Sequence, residues 1–145
     1  MRKVALALVL LTAGLAAGCG GGGGGDKDSD SDLSEQVQSA CDGSAIDVTS
    51  KLPPSFPMVE NTTLTKQSTQ GPSEIVEGYW SGDLKEAHDE YVKEFKAAGY
   101  DVLFEELEDH DSEVSWKGEG RTGQVALRDD CGGGKIYVHI TNRPA

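Results

Sequence analysis

Positive charge is scarce in this chain. Thirteen lysines and arginines stand against 25 aspartates and glutamates in 145 residues, a formal net charge of −12. Such a surface repels phosphate, so nucleic-acid binding, which needs Lys and Arg to neutralise the backbone, is disfavoured. Long hydrophobic runs are also missing. The longest, Val4 to Leu15, is broken by Thr12 and Gly14 and falls short of the roughly 20 apolar residues that cross a hydrocarbon core. There is no CxxC, HExxH or GxSxG, and the 3 cysteines and 3 histidines do not have zinc-ligand spacing. These absences leave no metal, cofactor or catalytic residue to expect.

What is present begins at the N-terminus. Arg2 and Lys3 form a positive region, the apolar run follows, and Ala16, Ala17 and Gly18 lead to Cys19. That order and proportion predict a secretory signal peptide over residues 1–18. Leu15-Ala16-Ala17-Gly18-Cys19 resembles the lipobox of bacterial lipoproteins, with Ala16 in the place where the commonest form has leucine and Leu15 one residue further out. The resemblance covers Met1 to about Gly25. It implies cleavage before Cys19, a diacylglyceryl thioether and often N-acylation there, and therefore attachment to the cell membrane on the extracytoplasmic face. An ordinary signal peptide, leaving a soluble secreted protein with a free thiol, is the alternative. Loss of Arg2 and Lys3 with the signal takes the formal charge from −12 to −14.

With Cys19 assigned to lipid, Cys41 and Cys131 remain as a pair in a compartment that permits disulfides. Bridging them closes a loop of about 90 residues, worth about 4–5 kcal/mol in the chain-entropy model. Two reduced cysteines are the other possibility. Residues 19–32, Cys19 with Gly20 to Gly25 and an aspartate-serine run, read as a lipid-anchored disordered tether because nothing in them can seed a core. The aspartate spacing does not fit a calcium loop. Counting from Asp26, Ser31 stands where Gly is needed and Val37 where Glu is needed.

Residues 33–145 are expected to form one small α+β domain, an antiparallel sheet of about five to six strands packed on one amphipathic helix in the order ββαββββ, with a short N-terminal helix from Leu33 to Cys41. Pro53, Pro54 and Pro57 predict an extended crossing over the surface, with the folded unit starting near Met58. Asp83 and Glu86 mark a helix start and Gly99 its end, with Leu84, Ala87, His88, Tyr91, Val92, Phe95 and Ala98 on one face. Tyr100, Val102 and Phe104 are expected on one side of the next strand, Leu103 and Leu107 on the other. Residues 129–134 read as a turn, and 135–141 carry the clearest period-two alternation.

Gly118 to Gly123 matches GxGxxG, but a strand and not a helix follows, so a hairpin loop is expected and not a dinucleotide site. Catalysis is therefore not expected. The leading reading is a non-enzymatic protein-interaction module that meets an envelope protein through its sheet face or helix. A small-ligand module with Tyr79, Trp80 or Trp116 lining a cleft is the alternative, and an envelope hydrolase comes third.

Overall fold

The computed structural model describes residues 27–145, with side chains described from Ser34 onward. The signal segment, Cys19 and the glycine run lie outside the described residues. The protein is a mostly-sheet α+β fold with six antiparallel strands in one sheet and two helices. In chain order these are α1 (Lys27–Cys41), β1 (Thr62–Gln70), β2 (Ser73–Ser81), α2 (Leu84–Ala97), β3 (Asp101–Leu107), β4 (Asp111–Gly118), β5 (Arg121–Gly132) and β6 (Lys135–Pro144). In space the strands run β1-β2-β6-β5-β4-β3. β6 inserts between β2 and β5, and β1 and β3 are the edges.

α2 starts where its sequence says it should. The Asp83 carboxylate accepts the Glu86 backbone N–H at 2.9 Å, satisfying one of the donors that a helix start leaves free. At the other end Gly99 takes φ +81°, and Tyr100 N–H returns to the Phe95 carbonyl. The helix buries Leu84, Ala87, His88, Tyr91 and Phe95 against Val76, Trp80, Val114, Trp116, Val125, Leu127, Val138 and Ile140 of the sheet.

Phe95 stacks on Trp116 with centroids 5.7 Å apart, and Phe56 and Tyr100 meet the same indole edge-on at 5.3 Å and 5.6 Å. Gly123 makes this packing possible. A Cβ there would stand 2.7 Å from the Trp116 ring and 1.9 Å from the Thr141 carbonyl oxygen.

Phe56 shows that the folded unit starts earlier than Met58. Val48, Leu52, Phe56 and Val59 are all buried in the α2-side core. The prolines keep the arm out of the sheet's hydrogen-bond ladder, but the apolar residues between them still face inward. The Ile46 N–H donates to the Leu64 carbonyl of β1 at 2.9 Å, so the chain rounds the β1 edge before crossing the α2 face.

α1 lies on the opposite face. Ala40 and Cys41 pack with Tyr137, whose strand neighbours Ile136 and Val138 belong to the α2-side core, and successive strand residues point to opposite faces. The helix begins at Lys27, within the run read from sequence as tether. Cys41 and Cys131 form a disulfide. β5 continues as strand to Gly132, and the expected broad turn over 129–134 narrows to Gly133 and Gly134, both at positive φ.

Gly123→Ala is expected to destabilise the protein by about 1–3 kcal/mol, the range for overpacking a core. The midpoint of urea unfolding measures this, with Gly120→Ala as the contrast: the Cβ position at Gly120 is open, so only the strain of its φ of +72° opposes alanine there.

Candidate functional site

The face that carries α1 is only half covered. Beneath α1, Glu77 of β2 is 2 % exposed. It accepts the Tyr137 hydroxyl at 2.5 Å and the Gln36 side-chain amide at 2.9 Å, with the Lys66 ammonium 3.9 Å from its other oxygen. A carboxylate taken out of water needs such donors. Burial, and then the Glu77 charge, push the Tyr137 phenol well above its ordinary range, so it stays a donor. This polar knot has a positioning role.

Beyond Tyr137 the same face is open. A cleft of about 470 Å³ runs across five strands, from Ser73 of β2 over Thr141 of β6, Gln124 of β5 and Ser115 of β4 to Leu103 of β3. Its floor is polar, made mostly of serine and threonine side chains with Gln124, and Arg143 also lines it. At its far end Leu103 is 59 % and Phe104 is 50 % exposed, and Leu107 is 39 % exposed at the end of β3.

The expected sharing of sides between Val102 and Phe104 does not occur, because the β3–β4 register shifts between these residues. Val102 pairs with Trp116, and Phe104 pairs with Ser115. The bulge inserts one extra residue and turns Phe104 to the open face.

Other residues that carried functional readings are used elsewhere. Trp116 and Trp80 are buried in the core, and aromatic rings fill the space between α2 and the sheet. Trp80 also borders an acidic cleft of about 400 Å³ with Glu60, Asn61, Glu86 and Glu90. Tyr79 lies under the Lys135 ammonium, 4.3 Å from the ring centroid. The Gly118-to-Gly123 run holds the β4–β5 hairpin turn, with Glu119 and Gly120 at positive φ as two-residue hairpins require. His88 Nδ1 and Ser112 Oγ are 2.7 Å apart and buried. With Ser112 only 1 % exposed, a substrate has no route to that oxygen.

No family model, curated protein or solved structure matches this chain. The open half-face must therefore be judged from its own residues. Among the described residues no group of three or more His, Cys, Asp or Glu could hold a metal ion, and no helix is long and apolar enough to cross a membrane.

His139 marks the border between the covered and open halves. It pairs across the ladder with Glu77 of β2 and Ala126 of β5, and its ring lies 6.3 Å from that of Tyr137. Burial lowers its pKa below the ordinary 6.5, partly opposed by Glu77 and reinforced by Arg128. Above pH 6.5 both folded and unfolded chains hold this histidine neutral. As the pH falls through that value the unfolded chain takes up the proton first, so stability drops. Between pH 8 and pH 5 the thermal midpoint of His139→Gln is expected to fall less than that of the parent.

Proposed function

We propose that this protein is a lipid-anchored extracytoplasmic lipoprotein. Its domain serves as a non-enzymatic protein-interaction module of the cell envelope, working through the open half of the sheet face and the β3 edge. The exposure of Leu103 and Phe104 beside the cleft carries this reading. Large apolar side chains grouped at the rim of an open surface mark contact sites more often than isolated ones do. The ββαββββ unit, with amphipathic α2 as the helix that fills its core, serves as a rigid scaffold for that surface.

The anchor is inferred from Leu15 to Cys19, and the excess of acidic residues favours a domain held away from acidic headgroups. Catalysis is not part of this reading, since the pair that most resembles a dyad, His88 and Ser112, is sealed in the core. The polar floor of the cleft favours a second reading: Ser115, Gln124 and Thr141 offer hydrogen bonds to a small polar ligand.

A photo-cross-linking residue at position 104 of the full chain, expressed in cells, is expected to give an adduct with another envelope protein. The same residue at position 85, on the exposed side of α2, is expected to give none. Equal labelling from both positions, or none from 104, contradicts the reading. Intact mass of membrane-extracted protein checks the anchor, which requires added lipid on Cys19 that Cys19→Ser removes.

A further inference from the structure

β3 is an edge strand of unusual composition. Residues 101–111 hold six acidic side chains, Asp101, Glu105, Glu106, Glu108, Asp109 and Asp111, and no lysine or arginine. Three of its large apolar residues are exposed. The other edge of the sheet is already engaged, since the Ile46 N–H bonds to the Leu64 carbonyl of β1. β3 pairs with β4 alone.

Its hydrogen-bonding register can be followed from the hairpin. Glu108 N–H donates to the Asp111 carbonyl at 2.8 Å, and Leu107 faces Ser112, Glu106 faces Glu113 and Phe104 faces Ser115. In an antiparallel ladder, bonded and non-bonded pairs alternate. Glu106 and Phe104 therefore direct their backbone groups toward β4, while Glu105 and Leu107 direct theirs outward. That is the template for one more strand.

The side chains indicate what that strand should carry. Glu106 lies opposite Glu113 on the open face, and like charges directly opposite are destabilising. Among the described residues neither carboxylate has an ion-pair partner. Lys96 of α2 reaches Glu105 at 3.8 Å on the other face and leaves the Glu106–Glu113 pair uncompensated. A cation from an added strand would lie beside Glu106, with Glu113 one strand further in. The residues that alternate with the cations turn to the other face, where an apolar side chain would meet Leu107.

A second copy of this chain does not meet that requirement. Two β3 edges brought together would place acidic residues against acidic residues, the charge placement by which edge strands avoid self-pairing. A strand of opposite charge turns the same placement into selectivity.

We propose that β3 receives an extended strand from a partner protein, a segment alternating lysine or arginine with apolar residues, which pairs with the outward backbone groups of Glu105 and Leu107 and sets its cations beside Glu106, the outer member of the Glu106–Glu113 pair. This rests on the interaction-module reading and names the partner's chemistry.

The test uses full-length protein extracted in neutral detergent and a fluorescent ten-residue peptide alternating valine and lysine, with binding followed by anisotropy. One control peptide has glutamate in place of lysine, and another has the lysine sequence with every backbone nitrogen methylated. The lysine peptide is expected to bind at least about tenfold more tightly than either control. It is expected to protect the Glu105 and Leu107 amides from hydrogen exchange, and to bind Glu106→Lys/Glu113→Lys protein about tenfold less well, the scale of a cross-strand pair turned from attraction to repulsion.

Equal binding of the methylated peptide means charge attraction without strand pairing and overturns the proposal, as does no binding of the lysine peptide. Self-association of the protein that Phe104→Glu abolishes assigns the edge to a second copy and also overturns it. If the peptides fail while position 104 still cross-links in cells, the interaction reading stands and strand addition falls. Peptide binding without cellular adducts leaves the strand chemistry in place and removes the interaction reading.

Discussion

The bond between Cys41 and Cys131 determines which part of this sheet meets water. A single six-stranded sheet has two faces, and α2 with the 48–59 arm can cover only one of them. The disulfide holds the end of α1 against the other, over β2 and β6, where Glu77 and Tyr137 then need partners. The contacts around it act in concert. Thr65 Oγ1 donates to the Ala40 carbonyl at 2.7 Å, and the Lys135 ammonium donates to the Cys41 carbonyl at 2.9 Å, so two carbonyls left free at the helix end are capped by the sheet itself. Closing a loop of about 90 residues removes about 4–5 kcal/mol of unfolded-state freedom in the entropic model. It also fixes where the following arm must round the β1 edge.

The open half of that face is a consequence of the same geometry. α1 ends at the border formed by Tyr137 and His139, and the floor beyond it is polar, so water can occupy the cleft at little cost. Apolar exposure is concentrated at its far end, on β3. A solvated floor beside an apolar, acidic edge has the makings of a contact surface with charge selectivity. The α2 side lacks this contrast: its exposed positions carry ion pairs such as Lys93 with Glu90 at 2.7 Å, which add solubility more than recognition.

Much of the fold was legible in the residues because local signals and tertiary packing agree. Asp83 and Gly99 bound α2 by capping chemistry, and Ile136, Val138 and Ile140 alternate because one face of β6 is dry. Cys41 and Cys131 could be paired by count. The site was less legible. An alternating strand pattern cannot reveal a bulge, so Phe104 was grouped with Val102, although one inserted residue places them on opposite faces. Glu77 did not stand out among 25 acidic residues, because sequence spacing does not show that Gln36, 41 positions away, and Tyr137, 60 positions away, supply it with donors. The arm's prolines masked its role in the core, since they preclude strand pairing without precluding burial of Val48, Leu52 and Phe56.

The division of the sheet into covered and open halves is tested most directly by hydrogen exchange on the full chain before and after reduction of Cys41–Cys131. On reduction, the amides of residues 34–41 and those around Tyr137 are expected to lose protection while α2 and its facing strands keep theirs. Unchanged protection over 34–41, or equal loss in α2, would show that the disulfide does not hold the covered half in place.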